Sequence, residues 1–233
     1  MARWFFVASF LLLAATAGAQ TDAHSPVANK TDVAPALSVL LPELDLQGTT
    51  SASFATLVRE AGFSGGVAIS NEQCSHGAES SISIPAVTRF DVALGQFANK
   101  TMFEWQLREG VVNLFPAGSI PPLLEVQIHK FEWDRATPVP ELIARLRQLP
   151  EVSEEASKLG LEEAPIEGSA SAICIRGDCR NKPQQKSIIE AEKGATLLTL
   201  LNRIVWAHSG SVWIYSEYRC TKGKLFSLEA SAQ

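Results

Sequence analysis

Four histidines, four cysteines, a run of glutamates and four tryptophans beyond the N-terminal segment are the side chains from which this 233-residue chain could build chemistry. His24 lies in a stretch rich in Ala, Pro, Thr, Asp and Ser, His76 in a polar segment beside Cys74, and His129 on the polar phase of an alternating run. His208 falls at the end of a helical stripe, where a charged imidazole is favoured by the backbone dipole. Serines are plentiful, yet no G-x-S-x-G elbow offers one as a nucleophile. Glu151, Glu154, Glu155, Glu162, Glu163 and Glu167 supply paired carboxylates of the kind used in glycoside hydrolysis. They cluster locally on one helix and its linker, which predicts a solvated face. Trp105, Trp133, Trp206 and Trp213 offer faces for stacking on sugars or peptides, yet Trp105 and Trp213 alternate in phase with apolar neighbours and are expected in the core. Arg176-Gly177-Asp178 reads as turn chemistry. The residues predict no catalytic site, metal or cofactor, and a secreted hydrolase with an unrecognised site is the alternative function.

The N-terminus bounds the compartment. Arg3 precedes an apolar run from Trp4 to Leu13, and Ala17-Gly18-Ala19 supplies the small-x-small pattern of a signal-peptidase site. Residues 1–19 are thus expected to be a signal peptide, and the mature chain from Gln20 to be periplasmic or secreted. No later stretch reaches the roughly 18 to 20 apolar residues of a spanning helix, so no transmembrane segment is expected in the mature chain. Cleavage removes Arg3 and no acid, leaving 19 basic and 25 acidic residues and a net charge of about −6. That balance gives nucleic acid no electrostatic footprint. Cys74, Cys174, Cys179 and Cys220 all fall in the mature part, and an even count outside the cytoplasm predicts two disulfides, with three connectivities open. The C-x4-C spacing of Cys174 and Cys179 has no second pair and no histidine at ligand spacing, which argues against zinc. Asn29-Lys30-Thr31 and Asn99-Lys100-Thr101 satisfy the glycosylation sequon.

Positioning falls to short elements. Residues 20–50 read as a flexible tether, with room for one short docked strand or turn, and hold a brief apolar stretch from Leu37 to Leu46 broken by Pro42. Phe54, Leu57, Val58 and Ala61 form a helical stripe behind Ser51 or Ser53 as N-cap, and Gly66 to Ser70 a strand. Ser81, Ile82, Ser83 and Ile84 alternate as an edge strand before Pro85, a candidate partner-binding edge. A helix opened by Thr88 carries Val92, Ala93, Leu94 and Phe97. Phe103 to Phe115 reads as a hairpin turning at Glu109-Gly110, and Leu123 to Trp133 as another strand. Thr137-Pro138-Val139-Pro140 opens a helix, a second follows from Glu151 to Leu159, and Glu162 to Ser171 reads as a linker. Strands near Lys186–Ala191, Val212–Tyr218 and Leu225–Leu228 surround a helix from Thr196 to His208. Thr88 to Trp105 and Thr196 to Trp213 each span 17 positions, which predicts equivalent tryptophans in two copies of one unit.

The run Thr88-Arg89-Phe90-Asp91-Val92-Ala93-Leu94-x-x-Phe97, followed by Phe103-Glu104-Trp105-Gln106 and Gly110-Val111-Val112-Asn113-Leu114, resembles the secretin and TonB short N-terminal domain. So does Thr196-x-x-x-x-Leu201-x-x-Ile204 with Val212-Trp213-Ile214-Tyr215. The resemblance covers roughly residues 54–116 and, more faintly, 170–228. It implies a periplasmic protein-binding module of a bacterial envelope, although no secretin or barrel core follows here. The fold expected is α+β, two related small β-β-α-β units with short mixed sheets packed by helices. Residues 51–135 would hold the first unit, 136–169 a helical connector and linker, and 170–233 the second. The function expected is non-catalytic binding of an envelope protein or peptide.

Overall fold

The structure, a computed structural model, describes residues 36–71, 79–165, 189–220 and 223–231. The expected tether over 20–50 is corrected from Ala36 onward. Leu37, Leu41 and Leu46 are buried: Leu37 lies in a 3-10 turn (Ala36–Ser38), and the stretch beyond it forms two strands, β1 (Leu40–Leu41) and β2 (Leu44–Thr49). Pro42 sits between them, where its missing N–H breaks no ladder. β2 runs directly into α1 (Thr50–Glu60). The cap is Thr49, not Ser51 or Ser53: its hydroxyl oxygen accepts the Ala52 N–H at 3.2 Å, satisfying one orphan donor of the first turn.

β3 (Gly65–Asn71), β4 (Glu79–Ile84), β5 (Thr88–Arg89) and α2 (Phe90–Thr101) follow. Thr88 does not cap α2. Arg89 holds that position without a side-chain cap bond, its guanidinium pairing instead with Asp91, and the Thr88 hydroxyl donates to the Pro85 carbonyl at 2.6 Å. The expected hairpin is present as β6 (Phe103–Arg108) and β7 (Val111–Pro116), joined at Glu109 and Gly110, both with positive φ. Pro122–Glu125 makes a 3-10 turn that buries Leu123 and Leu124, so the next strand, β8 (Gln127–Asp134), starts later than the alternation predicts. α3 (Val139–Arg147) and α4 (Pro150–Lys158) each carry a proline in the first turn, where a missing donor costs least. β9 (Leu161–Glu163) occupies the start of the expected linker. β10 (Ile189–Thr196), α5 (Leu197–Ala207), β11 (Val212–Cys220) and β12 (Gly223–Ser231) complete the described chain.

The fold is α+β, centred on a six-stranded mixed sheet in the order β6-β7-β3-β11-β12-β9. β3 runs parallel to β7 and to β11, so strands of both expected units join in one sheet at the β3–β11 seam. Successive side chains of a strand point to opposite faces, and here both faces are covered. Val67, Ile69, Val112, Leu114 and Val212 pack with Phe54 and Phe97 of α1 and α2. Ala68, Val111, Phe115, Trp213 and Tyr215 pack on the other side with Leu142 of α3 and Leu201 and Ile204 of α5. Two small antiparallel sheets, β2–β4 and β8–β10, lie outside the main sheet, together with the two-residue pairing of β1 and β5.

The seam depends on Gly66. It stands opposite Trp213 in the register, and a Cβ there would come within 1.9 Å of the indole Cε2. The buried indole thus lies over bare backbone, donating its Nε1–H to Asn202 Oδ1 at 2.9 Å. A second regularity crosses the seam. Thr49 and Thr196 are 147 positions apart, as are Gly65 and Val212, which pair in the register. Each threonine caps an 11-residue helix, Thr196 by accepting from Thr199 N–H at 3.1 Å. The segments β2-α1-β3 and β10-α5-β11 therefore follow one plan on opposite faces. The expected equivalence of Trp105 and Trp213 is not found. Trp105 lies on the outermost strand β6, partly buried on the α1–α2 face, whereas Trp213 is fully buried on the central strand β11 against α5.

Candidate functional site

The edge strand singled out from sequence is β4. Its alternation is as expected: Ile82 and Ile84 are buried, and Ser81 and Ser83 are exposed. One of its sides is taken by the chain itself, since β2 pairs with it from Leu44↔Ile84 to Thr49↔Glu79. Among the described residues no strand joins its other side. A groove of about 290 Å³ opens beside it, lined by Ser81 and Ile82 of β4, Ile69 of β3, Lys100 at the end of α2, Met102 and Phe103. Lys100 Nζ donates to the Ser81 carbonyl at 2.7 Å. A lysine at an exposed strand edge is a common guard against unwanted pairing. Met102 ends α2 in the left-handed conformation, φ 59°, and is 82% exposed. That backbone is unusual for a residue other than glycine, and it places an apolar, adaptable side chain on the rim.

A second concavity lies at the far end of the β6–β7 hairpin. The cleft, about 350 Å³, is lined by Glu109, Glu190 and Glu192, by Arg135 and Arg203, and by the indoles of Trp133 and Trp206. The turn residue Glu109 has φ 53°. The next residue, Gly110, passes so close to Trp206 that an added Cβ would meet its ring at 3.1 Å. Arg135 pairs with Glu190, its Nε donating at 2.7 Å and a second guanidinium nitrogen lying at 2.6 Å. Arg203 pairs closely with Glu192 and stands 3.6 Å from Glu109. Burial pushes the Glu109 carboxyl above its usual range; Arg203 and Arg108 act in the opposite direction, and Glu192 adds like-charge repulsion. Trp206 is 57% exposed, although its neighbours Leu201, Ile204 and Val205 are fully buried.

No family model, curated protein or solved structure matches this chain.

The remaining sequence candidates are dispersed. His129 Nδ1 lies 2.9 Å from Glu151 Oε1, which also accepts the His129 backbone N–H. These bonds, with the backbone N–H of Glu151 itself as the largest cause, hold the Glu151 carboxyl below its usual range. Glu155 pairs with Lys158 and Glu163 with Arg147, so these acids of the run make separate local contacts. His208 ends α5, its ring nitrogens 2.8 Å from the Ile204 carbonyl oxygen and 3.1 Å from that of Thr137. It ties the helix end to the loop before α3. Among the described residues no helix is long and apolar enough to cross a membrane. Cys220, at the end of β11, is disulfide-bonded. Cys74, Cys174, Cys179, Glu167, His24, His76, the Arg-Gly-Asp turn and the first 19 residues lie outside the described residues.

Sequence reasoning did not single out Lys100, Met102, Glu109 or Arg203 for a site, and it named Trp206 only as one of four tryptophans able to stack on a ligand. Trp206 left a signal: it falls off the stripe made by Leu197, Leu201, Ile204 and Val205, so a large indole was bound to face outward. Met102 left none, because its exposure follows from a backbone conformation that its residue type does not foretell.

Proposed function

We propose that the chain is an exported, non-catalytic module of a bacterial cell envelope that binds an extended protein or peptide segment along β4. The carrying observation is the side of β4 that no strand joins among the described residues, beside a groove with an apolar rim at Met102 and an apolar lining at Ile69, Ile82 and Phe103. A partner strand added there gains affinity from main-chain hydrogen bonds and specificity from alternate side chains. The Lys100 ammonium, now on the Ser81 carbonyl, moves aside for the incoming N–H. The N-terminal export pattern and the resemblance to the secretin and TonB short N-terminal domain support the same reading. So does α2 leading directly into a hairpin whose first strand carries Trp105. The reading also puts all four cysteines in disulfides, which a count of free thiols in the denatured, unreduced protein checks.

Display selection of random peptides on the mature chain, residues 20–233, tests the site. The selected peptides are expected to alternate apolar and polar residues, and Met102→Glu to weaken them about tenfold, the effect of one good contact at an interface centre. Equal binding by Met102→Glu, or turnover of the peptides by the purified chain, overturns the proposal, the latter in favour of the hydrolase alternative.

A further inference from the structure

We infer that the cleft between the β6–β7 turn and α5 is a second binding site, one that takes a single organic cation: the ammonium or guanidinium side chain of a lysine or arginine residue. The site is separate from the β4 groove and does not depend on it.

The argument is one of charge and shape. Three lining carboxylates, Glu109, Glu190 and Glu192, face two lining guanidiniums, Arg135 and Arg203, across one cleft, an excess of one negative charge; Arg108 acts on Glu109 from outside the lining, its guanidinium bonded to Gln106 and lying over Phe115. Geometry says which. Arg135 is bonded to Glu190 through two of its nitrogens, and Arg203 is committed to Glu192. Glu109 is left with a contact of 3.6 Å to an arginine already engaged. Its carboxyl is partly buried, and that burial pushes its pKa up, which marks a carboxylate whose present counter-charges do not offset its lost hydration. The backbone fixes it there, since φ 53° at Glu109 is a conformation retained only where the surroundings enforce it. Beside it stands Trp206, which lies off the buried stripe of α5, is 57% exposed and has its ring edge held against Gly110. An indole next to a carboxylate is the arrangement that binds alkylammonium and guanidinium groups, through the ring quadrupole and the ion pair together. An anionic ligand would meet a net negative cleft and two guanidiniums already paired.

The test is an NMR titration of the mature chain following the Trp206 indole N–H resonance, assigned by its loss in Trp206→Phe. The probes are N-acetyl-lysine amide, N-acetyl-arginine amide, N-acetyl-norleucine amide, which keeps the four-carbon lysine chain without its ammonium, methyl glucoside and sodium acetate. The two cationic probes are expected to shift the resonance saturably and the other three to leave it in place. Glu109→Gln, which keeps shape and removes charge, is expected to weaken both cations at least about threefold. For variants lacking the indole, binding is followed from the probe's own resonances. Trp206→Ala is expected to abolish saturation there and Trp206→Phe to retain it, since phenylalanine keeps an aromatic face. Saturation by norleucine amide or methyl glucoside at concentrations similar to lysine amide, saturation by acetate, or the absence of any saturable shift overturns the inference. So does a cation affinity unchanged in Glu109→Gln.

Discussion

The segments β2-α1-β3 and β10-α5-β11 share a plan and differ where it matters for function. Both open on a capping threonine, run 11 helical residues and deliver paired strands to the middle of the sheet. Phe54, Leu57 and Val58 on α1 stand at the same helix positions as Leu201, Ile204 and Val205 on α5, and all six are fully buried. The difference appears at Arg59 and Trp206, which also correspond. Arg59 crosses to the other half, donating to the Gly210 carbonyl at 3.1 Å and to the Ser231 carbonyl and hydroxyl at 3.0 and 2.6 Å. Trp206 points out of the core into the charged cleft. The comparison separates two kinds of residue: positions that agree build the sheet, and the position that differs without a structural return marks a surface with a task.

The strands differ too, and that asymmetry gives the largest expected effects. Trp213→Ala removes a fully buried indole and is expected to cost about 3–5 kcal/mol, measured by urea denaturation. Gly66→Ala, its partner across the seam, adds a single methyl group inside the indole's volume and is expected to cost about 1–3 kcal/mol. If Gly66→Ala is neutral, the account of the seam is wrong. Smaller effects test the likeness. Thr49→Ala and Thr196→Ala each remove one cap bond and are expected to cost about 1 kcal/mol apiece. A large disparity between them would break the correspondence of α1 and α5.

The smallest effect belongs to the cleft. The Glu109 carboxyl is raised in the folded state, so the folded chain holds that proton more tightly than the unfolded chain does. Its stability contribution therefore falls as pH rises from the unfolded value near 4.5 through the higher folded one. Glu109→Gln removes this loss: its melting temperature is expected to sit slightly above that of the parent at neutral pH and to converge with it below pH 4. A variant less stable than the parent at pH 7 would show that the Arg203 contact outweighs burial.

Much of this architecture was legible in the chain, for reasons that also explain the failures. The stripe Leu197, Leu201, Ile204 and Val205 fixes α5 because its apolar face is continuous. The hairpin at Glu109-Gly110 follows from alternation on both sides of a turn pair. The tether reading leaves room for one short strand where the chain forms two, because composition over residues 20–50 hides the apolar stretch in which Leu37, Leu41 and Leu46 are buried and β1 and β2 pair with β5 and β4. Counting from Thr88 to Trp105 matched α2 to α5 by their flanking residue types. The correspondence in space is between α1 and α5, whose shared letters are few; only strand register reveals it. The cleft was invisible for a related reason: Glu109, Glu192 and Arg203 are distant or scattered in sequence and meet only because β10 and α5 fold back across the end of the β6–β7 hairpin.

Amide hydrogen exchange across residues 79–84, measured with and without a selected extended peptide, tests the central functional claim most directly. Ile82 and Ile84 are packed in the core and β4 already pairs with β2, so a basal level of protection exists in the free chain. Strand addition is expected to slow exchange further within Glu79–Ile84, and Lys100→Ala, which uncovers the Ser81 carbonyl, to strengthen peptide binding. Protection confined to other elements, with exchange in β4 unchanged at saturating peptide, would contradict the account.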